Sequence, residues 1–167
     1  IINSHSTGSV NGKLYTGGLV GWRGNARITS NCYASGNVTG EKYTGSVFGC
    51  IELTWGGFQE FINVHGYGEV SGTESVGSFA GGVCVKKDGT LYGVVGITGC
   101  TVINQNNIPL VGNFLELNGS VYSNLDSYDM SAWLAGVSTI YLPPEETTLQ
   151  VGINSVSYTH LTLPTIA

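Results

Sequence analysis

The sequence predicts an all-β protein, a right-handed parallel β-helix (β-solenoid) of about three to four coils with a divergent C-terminal end, and three observations carry that expectation. A glycine-framed motif recurs three times in register. Of 167 residues 26 are glycine, and Thr, Ser, Val, Asn and Tyr fill much of the rest while Ala, Glu, Lys and Met are scarce, a balance that favours strands and turns over helices. Each copy also breaks into three short β-favouring pieces with glycine at the corners, so that one copy makes one coil.

The motif copies span residues 8–21, 36–49 and 68–81. The first reads Gly8-Ser9-Val10-Asn11-Gly12, then Tyr15-Thr16-Gly17-Gly18-Leu19-Val20-Gly21. The second reads Gly36-Asn37-Val38-Thr39-Gly40, then Tyr43-Thr44-Gly45-Ser46-Val47-Phe48-Gly49. The third reads Gly68-Glu69-Val70-Ser71-Gly72, then Ser75-Val76-Gly77-Ser78-Phe79-Ala80-Gly81. The copies start 28 and then 32 residues apart, and the extra residues fall between Gly49 and Asn63, where Trp55-Gly56-Gly57-Phe58 is expected to loop outward. Insertions of this kind are what a solenoid tolerates.

Within a copy the expected pieces are those exemplified by Arg27–Tyr33, Gly36–Thr39 and Tyr43–Phe48. Coils stack about 4.8 Å apart, so equivalent residues form ladders. Val10, Val38 and Val70 make one such column, and Leu19, Val47 and Phe79 another. Asn3, Asn31 and Asn63 recur at one offset before each motif, and an amide that both donates and accepts can bond its copies above and below. Glycine at Gly17, Gly21, Gly45, Gly49, Gly77 and Gly81 suits sharp corners or backbone packed too close for a Cβ. A fourth copy begins at Ile97-Thr98-Gly99-Cys100 and then loses the motif. Residues 1–103 are therefore read as solenoid repeats and 104–154 as a divergent β continuation or cap, with Tyr141-Leu142-Pro143-Pro144-Glu145-Glu146 marking a loop or boundary.

Gly17-Gly18-Leu19-Val20-Gly21 together with Asn31-Cys32-Tyr33-Ala34-Ser35-Gly36-Asn37-Val38 resembles the GLUG-type repeat of bacterial proteins, over about residues 3–83. The third copy departs from it, with Ser78-Phe79-Ala80-Gly81 in the core. The resemblance implies a secreted or cell-surface protein, adhesin-like or beside an immunoglobulin-cleaving metallopeptidase, in which such repeats lie outside the catalytic centre. Host or surface glycans or proteins are the partners that it implies.

The last residues, Val156 to Thr165, resemble a translated transposon-end sequencing adapter, so 155–167 is expected to be a non-native tail and the chain a metagenomic fragment cut at both ends. Neither a signal peptide nor an apolar run long enough to span a bilayer occurs, and no membrane insertion is expected of this piece. Only 10% of residues are charged, the net charge is -5, and the six basic residues do not cluster. That charge pattern argues against nucleic acid as a partner.

No catalytic residue, cofactor or metal site is expected. Cys32, Cys50, Cys84 and Cys100 lack ligand spacing and read as buried structural thiols, with Cys32 and Cys100 on non-adjacent coils. His5, Tyr33 and His65 share a repeat position and read as an aromatic stripe. The carboxylates, including Asp88, Asp126 and Asp129, form no pair at hydrolase spacing, and the last two suit turns. Trp22, Trp55, Phe58 and Trp133 could stack on sugar rings if exposed, core packing being the competing reading. Trp22, Trp55 and Phe58 are the residues singled out for ligand contact.

Overall fold

A computed structural model of the chain describes residues 1–24, 26–54, 58–86, 95–103, 107–118, 121–124 and 134–140. Its strands are β1 (His5–Ser6), β2 (Val10–Gly17), β3 (Val20–Arg23), β4 (Ile28–Ala34), β5 (Val38–Gly45), β6 (Phe48–Glu52) and β7 (Gln59–Gly66). They continue as β8 (Val70–Gly77), β9 (Ala80–Lys86), β10 (Val95–Thr98), β11 (Cys100–Ile103), β12 (Val111–Asn118), β13 (Val121–Asn124) and β14 (Val137–Ile140). Sheet A runs β1-β4-β7-β11-β14, with β10 also on β7; sheet B is β2-β5-β8; sheet C is β3-β6-β9-β12-β13. The pairing is parallel apart from the antiparallel β12–β13 pair. The protein is all-β, and its parallel sheets give it a solenoid-like build.

Three consecutive strands visit A, B and C in turn, and the next three repeat the visit one strand further along each sheet. The register follows the motif: Val10 pairs with Val38 and Val38 with Val70, and His5 with Tyr33 and Tyr33 with His65. Past the motif, β12 still adds to sheet C beside β9 and β14 adds to sheet A beside β11. The strand bounds differ from the sequence reading in one respect. Gly36–Thr39 and Tyr43–Phe48 are not separate pieces: β5 runs unbroken from Val38 to Gly45, because β2 and β8 flank it through the Gly12, Gly40 and Gly72 positions.

The long strands bend at residues with left-handed backbone. Asn3, Asn31 and Asn63 have φ of 51°, 52° and 52°, and Tyr15, Tyr43 and Ser75 have φ of 53°, 56° and 58°. Such a conformation costs an L-residue about 1–2 kcal/mol, least for Asn and nothing for Gly. The asparagine offset is therefore selected twice, by backbone and by side chain. Asn31 Nδ2 donates to Asn3 Oδ1 at 3.2 Å, and Asn63 Nδ2 donates to Asn31 Oδ1 at 3.1 Å. One rung further on the position falls to Gly99, between β10 and β11, at φ 66°, where a side chain would collide with the Asn63 amide oxygen.

Sheets A and C enclose the main core. Phe48, Phe61 and Phe79, each fully buried, meet edge to face with centroids 5.4–6.3 Å apart, the arrangement that the ring quadrupole favours. Val47, Ile51, Leu53, Val64, Val83 and Val102 fill the space around them. Arg23 is buried here as well, with only 2% of its surface exposed. Its guanidinium lies 4.1 Å over the Phe61 ring and donates to Thr29 Oγ1 (3.0 Å), Gln59 Oε1 (2.7 Å) and the Ala26 carbonyl (2.6 Å). Burial pushes its pKa down to about 10, which leaves it charged at neutral pH.

Sheets B and C meet differently. A Cβ on Gly49 would fall on the carbonyl carbon of Tyr15, and one on Gly81 on the carbonyl carbon of Tyr43. Gly112, outside the recognised motif, meets Ser75 in the same way. The two sheets thus touch backbone to backbone along this seam, at the left-handed column.

Candidate functional site

Just beyond those glycines the seam opens enough for side chains. Tyr15 and Tyr43 stack at 5.2 Å with an interplanar angle of 11°. Trp22 sets its edge against Tyr15 (4.7 Å, 77°) and against Tyr122 (5.3 Å, 65°). Beneath them lie Cys50, Cys84 and Leu115. The repeat spaces Tyr15 and Tyr43 one rung apart, β3 brings Trp22 beside them, and β13 carries Tyr122 in from the divergent end.

Glu52 is the acceptor at the centre of this cluster. Its Oε2 receives the Trp22 indole N–H at 3.2 Å, and its Oε1 receives the Thr54 hydroxyl at 2.7 Å and the Tyr122 hydroxyl at 3.5 Å. Burial, and then the Glu52 charge, raise the Tyr122 pKa; burial likewise raises those of Tyr15 and Tyr43. All three phenols are thus neutral at physiological pH, and Tyr122 donates its hydroxyl to Glu52. At the rim Lys42 Nζ approaches Glu74 at 2.6 Å, and that hydrogen bond is the main cause of the raised Lys42 pKa. Both side chains are solvated, so the pair contributes little to stability.

Of the residues expected to touch a ligand, Trp22 is half-buried in this cluster with its N–H satisfied. Phe58, half exposed, stands immediately before β7 on sheet A. The structure therefore puts Trp22 and Phe58 on different sheets. Trp55 and Trp133 lie outside the described residues, as do Asp88, Asp126, Asp129 and residues 155–167. The asparagine column occupies the bends and Gly49 and Gly81 the seam, with Gly21 against the Tyr15 carbonyl oxygen. Gly17, Gly45 and Gly77 lie at the turns from sheet B to sheet C, where a Cβ would meet the carbonyl oxygens of Val20, Phe48 and Ala80.

The histidine stripe is in register but does not stack throughout. His5 stacks on Tyr33 (4.9 Å, 7°), whereas His65 turns to stack on Tyr67 (5.7 Å, 9°). Burial lowers the His65 pKa. Among the described residues, no group of three or more His, Cys, Asp or Glu could hold a metal ion.

No family model, curated protein or solved structure matches the chain. The seam cluster offers one carboxylate that accepts from three neutral donors, Trp22, Thr54 and Tyr122, an arrangement that fixes these side chains in place. Sequence reasoning missed Tyr15, Tyr43, Glu52 and Tyr122. The recurrence of Tyr15 and Tyr43 at one motif position was the available signal for two of them. Tyr122 had none, because it reaches the cluster from an antiparallel strand outside the repeat.

Proposed function

We propose that the chain is a non-catalytic segment of an exported bacterial surface protein, a right-handed β-helix of three to four GLUG-type coils that acts as a structural spacer or adhesive surface. The observation that supports this reading is the rotation of successive strand triplets through three parallel sheets. Each added repeat lengthens such a stack without altering the earlier layers. At the seam the Glu52 carboxylate is held by Trp22, Thr54 and Tyr122, and recognition is assigned to inserted loops.

The test is to incubate the 167-residue chain with immobilised polysaccharides, matrix proteins and immunoglobulin, measuring both retention and cleavage. The reading expects no released sugar or peptide, and turnover of any of these substrates would overturn it. Retention that is lost in Trp55→Ala and Phe58→Ala would assign the adhesive role, and no retention would assign the spacer role. A second reading, an accessory binding module of a larger polysaccharide-active enzyme or metallopeptidase, is favoured by the half-exposed Phe58 beside the inserted segment. Retention confined to one polysaccharide or one protein substrate would support it.

A further inference from the structure

Cys50 on β6 and Cys84 on β9 belong to successive triplets, but they do not occupy the same rung position. Cys50 pairs with Gly82, and Cys84 pairs with Glu52. Gly82 offers no side chain, and the space above it is shared by the Tyr43 ring and the Cys50 sulfur, which would lie 3.1 Å and 3.4 Å from a Cβ placed there. The Cys50 thiol can therefore lean across Gly82 toward its diagonal neighbour. The two Sγ atoms are 3.0 Å apart, about 1 Å from the bonded separation of ~2.05 Å. Both residues are fully buried, packed with Leu115 beneath Tyr15, Trp22, Tyr43 and Tyr122.

We propose that Cys50 and Cys84 are a disulfide-forming pair that covalently ties the neighbouring strands β6 and β9 of sheet C, and so two successive triplets, on the side that faces sheet B. The other two cysteines are an internal control. Cys32 pairs with Val64, and Cys100 precedes Thr101, which pairs with His65, so Val64 separates the two thiols by a whole strand.

The oxidant required is a small-molecule disulfide, R–S–S–R, such as oxidised glutathione. One cysteine thiolate attacks R–S–S–R, forming a mixed disulfide and expelling RS⁻. The second thiolate attacks the protein-bound sulfur and expels another RS⁻. Two cysteine sulfurs are oxidised, the two sulfurs of R–S–S–R are reduced, and the two protons given up by the thiols end on two R–SH. In the closed seam the Cys84 pKa is raised, first by its hydrogen bond with Cys50 and then by burial and nearby negative charge. Exchange depends on thiolate and on access. The bond therefore forms while the chain is folding and the seam is open, and closure then shields it from reductant.

The full chain would be refolded in a mixture of reduced and oxidised glutathione, acid-quenched, alkylated under denaturing conditions without reductant, and digested for mass spectrometry. The expected product is one cross-linked peptide pair joining Cys50 to Cys84, with Cys32 and Cys100 alkylated. The oxidised protein should also melt roughly 5 °C or more above the protein in dithiothreitol. Alkylation or glutathionylation of Cys50 and Cys84, or a bond from either to Cys32 or Cys100, would overturn the proposal. Cys84→Ser should abolish the difference in melting temperature, and the Cys32→Ser/Cys100→Ser double variant should retain both difference and cross-link. A difference that survives Cys84→Ser would contradict the assignment.

Discussion

The two faces of sheet C are packed by opposite means. Toward sheet A it presents Phe48, Ile51 and Val83 to a core filled by side chains. Toward sheet B it presents Gly49, Gly81 and Gly112 to backbone atoms of Tyr15, Tyr43 and Ser75. The first face needs volume and the second needs its absence. A side-chain core can relax around an altered residue, at an energy cost, by shifting rotamers. A backbone contact has no rotamer to shift, so the recurring glycines hold their positions through sterics, whereas the apolar column tolerates Leu19, Val47 and Phe79 in turn.

The largest effect expected from this contrast is on the glycine side. Gly49→Val places a branched side chain on the Tyr15 carbonyl and should separate sheets B and C, costing about 4 kcal/mol or more. Circular dichroism and urea denaturation would then show an unfolded or severely weakened chain, while a variant within about 1 kcal/mol of the parent would break the contrast. On the side-chain face, Phe48→Ala should cost about 3–5 kcal/mol yet leave a folded protein. Its urea midpoint should fall with the slope unchanged.

A subtler test separates backbone from amide at the left-handed asparagines. Asn31→Ala loses two exposed amide hydrogen bonds and replaces asparagine at φ 52° by a residue that tolerates left-handed backbone less readily, which should cost about 1–2 kcal/mol. Asn31→Gly loses the same bonds but suits the backbone, so it should cost less than the alanine variant, as the natural Gly99 indicates. Equal losses in urea denaturation would leave the ladder, and not the bend, as the reason for asparagine.

The smallest effect is a pH dependence. His65 has a folded pKa below its ordinary value, so the unfolded chain binds more protons in the window just below that value. Its contribution to stability is present above the unfolded pKa and is lost as pH falls toward the folded pKa. Thermal midpoints measured between pH 7 and pH 5 should decline more in the parent than in His65→Phe, and parallel declines would remove His65 from the account.

The repeat offset makes much of the architecture legible before any coordinates. Val10, Val38 and Val70 align because parallel register is a matter of counting residues. Counting does not reveal φ, so the left-handed backbone at Tyr15 and Tyr43, residues that carry no preference for it, could not be read. Diagonal contacts also escape a search for equivalent positions, which is why Cys50 and Cys84 read only as buried structural thiols. Arg23 was equally hidden, since a basic residue next to Trp22 looks like surface until Thr29, Gln59 and the Ala26 carbonyl are seen to enclose it. Trp22 shows the converse: its large aromatic area was legible, but its exposure depended on Tyr122, which arrives from another part of the chain.

The rotation of the chain through three parallel sheets underlies all of these contrasts. It is tested most directly by inter-strand nuclear Overhauser effects on uniformly labelled protein. The account predicts backbone connectivities that link Val10 to Val38 and Val38 to Val70, at offsets of 28 and 32 residues. Close Hα–Hα connectivities between consecutive strands within a triplet, β2 with β3 or β5 with β6, would signal antiparallel hairpins and contradict it, whereas those between β12 and β13 are expected.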